Sequence, residues 1–217
     1  MPQIFPPNAN AFARWALLGG GAFVVVLIIA LPIYARTINN AVGVPVAQPV
    51  AFQHNLHVAQ LGIDCRYCHT TVEVAAAATV PDTQTCMSCH SQIRVGTPEL
   101  AVVAASWELD TPIPWNKVHN LPDYAYFNHS AHVNSGVGCS TCHGQIDQMA
   151  GIWKNESLTM GWCMDCHREP ERFLRPRSEV FNMAYVPPTD QRTLGLELVA
   201  AYHVSHEKLY QCSVCHR

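Results

Sequence analysis

Cys65-Arg-Tyr-Cys68-His69 is one of five places where this chain spells Cys-x-x-Cys-His. The others are Cys86, Cys89, His90; Cys139, Cys142, His143; Cys163, Cys166, His167; and Cys212, Cys215, His216. Together they consume all ten cysteines. Two thiols at this spacing add to the two vinyl groups of a porphyrin, and the histidine that follows ligates the iron. The pattern therefore reads as five sites for covalently attached haem c. Paired cysteines also build zinc sites and redox motifs. Five pairs leave a remainder when combined into four-cysteine sites, and every pair here is followed at once by histidine. With 12 histidines in 217 residues, five such hits by chance have a probability of roughly one in two million.

Five porphyrins dictate what the polypeptide can be. If residues 1–36 form an anchor, about 36 residues remain per haem, too few for each porphyrin to have its own globular core. The haems must pack against one another. The expected fold is mostly α and coil: one N-terminal transmembrane helix, then a haem-packed domain with little regular structure. Fifteen prolines and twelve glycines agree with short elements. The formal charge of −3 becomes more negative in the holoprotein, since five haems add roughly ten propionate charges, partly offset by the ferric porphyrins. With no basic stripe, nothing indicates a nucleic-acid partner.

Residues 16–35, ALLGGGAFVVVLIIALPIYA, carry no charge and lie between Arg14 and Arg36. Their length suits one membrane span, and Trp15 and Tyr34 stand where interfacial aromatics belong. A cleaved signal peptide is the rival, disfavoured by the length of the run and by Ile33 three residues before a cut after Ala35. Gly19, Gly20 and Gly21 with Ala16 give a small-residue face suited to packing on a partner helix. Pro32 is expected to kink or end the helix. The expected division is an anchor segment at 1–36, an extended linker at 37–51, and an extracytoplasmic pentahaem domain at 52–217. Covalent haem attachment takes place outside the bacterial cytoplasmic membrane, which sets the expected location: single-pass in that membrane, with the haem domain on the periplasmic side.

An internal repeat organises the domain. Aromatic-x-His-x-x-His occurs at Phe52 (FQHNLH) and again 75 residues on at Phe127 (FNHSAH), with a looser copy at Tyr202 (YHVSH). These define modules 52–126 and 127–201 and a truncated third, 202–217. Histidines three apart on a helix share a face but diverge, so one short helix can address two neighbouring irons. After the five attachment histidines, seven remain: His54, His57, His119, His129, His132, His203 and His206. The expected distal ligands are His54 for the first haem, His57 for the second, His129 for the third and His132 for the fourth. His203 or His206 serves the fifth. His119 is a cross-module ligand, or a loop or propionate-binding histidine. Met149 and Met183 are the freer candidates for a methionine ligand, which raises potential relative to a second histidine. The basic run Arg168, Arg172, Arg175 and Arg177 suits propionate neutralisation better than a docking patch.

The strings Trp115-Asn-Lys-Val-His119-Asn-Leu-Pro-Asp-Tyr-Ala-Tyr-Phe127-Asn-His129-Ser-Ala-His132, with Cys139 to His143, and Leu158-Thr-Met160-Gly-Trp-Cys163 through His167 resemble the pentahaem cytochrome c subunit of alternative complex III. That subunit has a hexahaem relative in menaquinol reductase complexes, and its ligand pattern is similar to multihaem class III cytochromes c. The resemblance implies an electron-transfer subunit of a quinol-oxidising complex. Its implied partners are a polytopic quinol-binding membrane subunit, an iron–sulfur subunit, and a mono-haem cytochrome, a soluble electron carrier or an oxidase as acceptor. Two other functions stand beside it: a quinol dehydrogenase anchor feeding a periplasmic reductase, and a multihaem reductase with its own chemistry. The reductase needs an open iron, which seven spare histidines for five irons disfavour.

Overall fold

The computed structural model describes residues 5–216; the side chains of residues 36–40 also lie outside the description, and with them that of Arg36, which the sequence places beyond the span. The chain divides into two compact units, Met1–Ala41 and Val42–Arg217.

The first unit is a single helix, α1 (Ala9–Asn40). Within Ala9–Ala35 an 18-residue window has a mean hydropathy of 2.6, and none of that window is buried. At 1.5 Å per residue, 27 residues reach about 40 Å, more than the roughly 30 Å of a bilayer's hydrocarbon. A helix apolar on all faces is suited to lipid or to partner helices. Pro32 lies inside α1, which runs on to Asn40. The expected stop at the proline is therefore not seen: the ring removes one backbone hydrogen bond, and the turns beyond keep theirs. A Cβ added to Gly19, Gly20 or Gly21 meets nothing within 4 Å, so the small-residue face is open within this chain.

The second unit has short helices and, among the described residues, no strands. Four isolated bridges tie distant segments: Val42 to Lys154, Pro45 to Trp153, Ala125 to His216 and Val137 to Leu174. Its α-helices are α2 (Cys65–Cys68), α3 (Thr83–His90), α4 (Ala101–Leu109), α5 (His129–Asn134), α6 (Cys139–His143), α7 (Met160–Arg168), α8 (Gln191–Ala201), α9 (His206–Leu209) and α10 (Cys212–Cys215). A π-helix occupies Asn55–Gln60. All five cysteine motifs sit on helices that begin at or just before the first cysteine.

Local chemistry sets those starts. Asp64 accepts from the Arg66 amide and opens α2 at Cys65. Asp82 accepts from Thr85 and opens α3. Thr159 accepts from Trp162 and opens α7. Asn128 accepts from Ala131 and opens α5 on a histidine. Such caps satisfy amides that the first turn leaves free.

The apolar core is small. Val50, Val103 and Ile113 form one cluster, with Cys86, Met87, Leu100 and Trp115 against it. Val72, Val133 and Val180 form another, with Ala78, Cys139 and Phe181. Helix α8 lies so close to the Pro170–Arg172 turn that a Cβ on Gly195 would collide with the Glu171 carbonyl. Gly136, at φ +85°, and Gly138 give the same close passage to Arg175 beside the third cysteine pair.

Candidate haem-binding site

Histidine rings come together in pairs of a particular separation. His57 faces His90 at 6.2 Å between ring centroids, and His132 faces His167 at 6.2 Å. His129 and His143 are 6.5 Å apart with ring planes within 10°. Two imidazoles trans to one metal, each bound through Nε2 at about 2.0 Å, have centroids about 6.3 Å apart. In each pair one ring follows a cysteine motif and the other belongs to a His-x-x-His. The fourth pair is less direct. Burial first, then the neighbouring charges of His69 and His57, lower the pKa of His54.

Most of the remaining ring nitrogens are held as ligand histidines need; Nδ1 of His54 and of His143 are buried without a hydrogen-bond partner. Nδ1 of His57 lies 2.9 Å from the Gln53 carbonyl, that of His69 2.8 Å from Thr79, and that of His90 3.1 Å from Ile93. Nδ1 of His132 lies 2.8 Å from Asn128, that of His167 3.2 Å from Leu209, and that of His216 3.0 Å from Tyr124. Nδ1 of His129 sits 3.0 Å from the Ala76 carbonyl and 3.3 Å from the Ala78 amide, which donates to it; the two contacts call for opposite tautomers. A carbonyl can only accept, so in the other six the proton is on Nδ1 and the Nε2 lone pair is left for a metal. A second-shell acceptor of this kind fixes the tautomer and aims the ring. These rings fit haem iron.

One aromatic serves each pair. Phe52 stacks on His57 at 4.4 Å and meets His54 edge-on at 4.9 Å. Phe127 stacks on His132 at 4.4 Å and meets His129 edge-on at 4.7 Å. The two modules match ring for ring, although the first is wound as a π-helix and the second as an α-helix. The aromatic is visible in the sequence repeat, yet its task as a wedge behind two histidines is legible only in three dimensions. The third copy differs: Tyr202 lies under the Arg177 guanidinium at 4.2 Å, and its hydroxyl accepts from the Arg177 amide. His203 has φ +56°. Among the described residues, neither His203 nor His206 is in ring contact with another histidine.

His119 and His143 meet edge to face at 4.4 Å, too close for an iron between them. Burial, then Lys154 and His129, lower the pKa of His119. Burial also pushes His143 down to about 3, with His119, His129, His69 and His54 all adding, and His54 to about 4. Both stay neutral, the form that binds metal. The thiols shift the other way: burial drives Cys142 up to about 12 and Cys139 and Cys166 to about 11. Redox cysteines need lowered values, and among the described residues no group of three Cys, His, Asp or Glu side chains gathers as a zinc site requires.

Met149 is buried, and its carbonyl accepts from the Asn55 amide beside the first histidine pair. Met183 is also buried, and its carbonyl accepts from Gln145. The basic run splits. Arg172 pairs with Glu169 at 2.8 Å and Arg168 with Asp165 at 3.8 Å, both at the surface. Arg175 is buried over the Tyr185 ring and donates to Ser140, inside the third cysteine motif.

Residues 50–102 and 125–217 match the family described as cytochrome c7 and related cytochrome c. The chain belongs to that family: it is a multihaem cytochrome c that binds haem c covalently and transfers electrons. It is 32% identical over 136 residues to the menaquinone reductase, multiheme cytochrome c subunit of Nitratidesulfovibrio vulgaris, across 62% of this chain and 64% of that protein.

Proposed function

We propose that this chain is the electron-transfer subunit of a membrane quinone-linked complex, carrying five haems c on its ten motif cysteines. The observation that carries the reading is the set of histidine pairs at 6.2 to 6.5 Å. Bound haems supply one-electron redox chemistry. The chain's histidines would hold each iron through ring nitrogens and shield it from exchangeable ligands, and the chain would set the haem spacing. We assign His69 with His54, His90 with His57, His143 with His129, and His167 with His132. His216 takes His203 or His206. Helix α1 serves as the anchor, with the haem unit on the periplasmic side, where covalent attachment takes place. The relative named for menaquinone reductase, and the resemblance to alternative complex III, support a polytopic quinol-binding subunit and an iron–sulfur subunit as partners. A mono-haem cytochrome or soluble carrier is the acceptor.

The contacts between sites also support an order. Tyr67, in the first motif, hydrogen-bonds Ser88, in the second, at 2.7 Å. Residues 75–78, just beyond the first motif, bond to His129 and Ser130 of α5. Val72 packs with Val133 in the cluster that includes Cys139 of the third. Helix α5 carries histidines for both the third and fourth sites. His167 and Arg168 of the fourth reach Leu209 and Tyr210, just before the fifth motif. The sites thus run second, first, third, fourth, fifth in space. Iron positions from cryo-electron microscopy of the holo-complex test this. The order requires the first and third irons to be neighbours and the second and fifth to be termini. A chain of irons in sequence order would overturn it, and a complex without a quinone-reactive partner would overturn the assignment to quinone chemistry.

A further inference from the structure

His143, like His54, is held differently from the seven histidines anchored on carbonyls. Its Nδ1 is buried and has no hydrogen-bond partner. The ring against it is His119, 4.4 Å away and tilted by 74°, whose Nε2 is likewise buried and without a partner. Two orphaned nitrogens therefore stand on adjoining rings, with no hydrogen bond between them as the rings are now turned. Buried polar atoms without partners are rare because each forfeits its hydration.

We propose that His119 is a positioning residue for the third haem site, accepting the Nδ1–H of His143 on its own Nε2. The inference rests on the reading that His143 ligates iron. If it does so through Nε2, its proton must be on Nδ1, which makes that atom a donor. His119 with its proton on Nδ1 offers Nε2 as the acceptor. Geometry argues against His119 as an iron ligand itself. Its ring is too near His143 for the two to share a metal, and its Nε2 is buried. His119 also falls in residues 103–124, between the two segments that match the cytochrome c7 family. It is surplus to two histidines per haem.

The acceptor matters for redox behaviour. A hydrogen bond to Nδ1–H makes the imidazole a stronger donor to iron, which stabilises the ferric state. Imidazole nitrogen is a better base than a peptide carbonyl, so this contact lowers the potential more than the carbonyls do elsewhere.

The test uses the full chain in its complex, with His119→Leu, which removes the acceptor, and His119→Gln, which replaces it by a weaker one. Each variant is followed by intact mass, electron paramagnetic resonance and a redox titration of all haems. The expected result keeps every haem attached and low-spin. One component moves to more positive potential in His119→Leu and moves less in His119→Gln. If His119→Leu does not assemble, His119→Gln decides alone, since it must still move one component upward. No shift, or a haem turned high-spin, overturns the proposal, the second outcome because it makes His119 a ligand. His129→Ala serves as the control for the underlying reading. If it leaves every haem low-spin, the pairing of His129 with His143 fails, whatever the His119 variants do.

Discussion

At the scale of single residues, the protein's problem is to present nitrogen lone pairs to iron without letting the rings rotate. It solves this with carbonyls and aromatics. His132 is held on one side by the Asn128 carbonyl, four residues back, and on another by the face of Phe127. His57 repeats the arrangement with Gln53 and Phe52. Removing a lone pair should open a single iron. We expect His132→Ala to convert the haem at Cys163 and Cys166 to high-spin while the others stay low-spin, as read by electron paramagnetic resonance. Phe127→Leu removes the wedge and keeps the ligands. It should leave all haems low-spin but alter the low-spin signals of the haems paired with His129 and His132. Unchanged spectra would mean that the aromatic is only packing. Much of this scale was legible in the sequence. The motif histidines follow from spacing alone, and the seven others could be counted, four of them being assigned from the repeat. Three of the carbonyl anchors could not be foreseen, because they come from segments distant in sequence: Leu209 holds His167, Tyr124 holds His216 and Ala76 holds His129. The surplus of His119 was countable, but its neighbour was not.

At the scale of elements, short helices serve as mounts. A capped start fixes where a cysteine pair points, and glycine allows helices to pass at close range. Gly195 is the tightest such passage, with the Glu171 carbonyl where a Cβ would stand. Gly195→Ala must push α8 off the 170–172 turn, and overpacking of this kind costs about 1–3 kcal/mol. Thermal unfolding of the holoprotein should show a lowered midpoint with haem content unchanged, whereas a wild-type midpoint would mean that the helix is free to shift. The elements also show where sequence reasoning stopped. Pro32 reads as a kink or an end, and α1 does not end there but continues eight residues beyond it. Tyr202 opens the loose third copy of the repeat, yet it lies beneath Arg177 and against Gly136. In both cases a local rule gave way to the surroundings: helical turns persist past one missing donor, and a tyrosine hydroxyl can take a different partner from a phenylalanine edge.

At the scale of the whole molecule, 176 residues of Val42–Arg217 enclose little apolar core of their own, which fits a fold whose interior is completed by porphyrin. The mainly helical, loop-rich architecture was readable from composition and motif number. The proposed spatial order of sites was not, because it depends on contacts such as Tyr67 to Ser88 and Val72 to Val133 that no periodicity encodes. In the proposed reading helix α1 is a membrane anchor and the haem unit folds without it. Expressing residues 42–217 behind a cleavable secretion signal should yield a soluble protein with its full haem complement that is no longer reduced by quinol unaided. Reduction by quinol at the full rate would contradict dependence on a quinone-reactive partner. The central claim, however, is the number of haems and how they are held, and the most direct measurement is the intact mass of the mature holoprotein after treatment with a thiol-alkylating reagent. The account predicts the chain mass plus five haems and no alkylated cysteine; fewer haems, labelled thiols, or zinc in their place would contradict it.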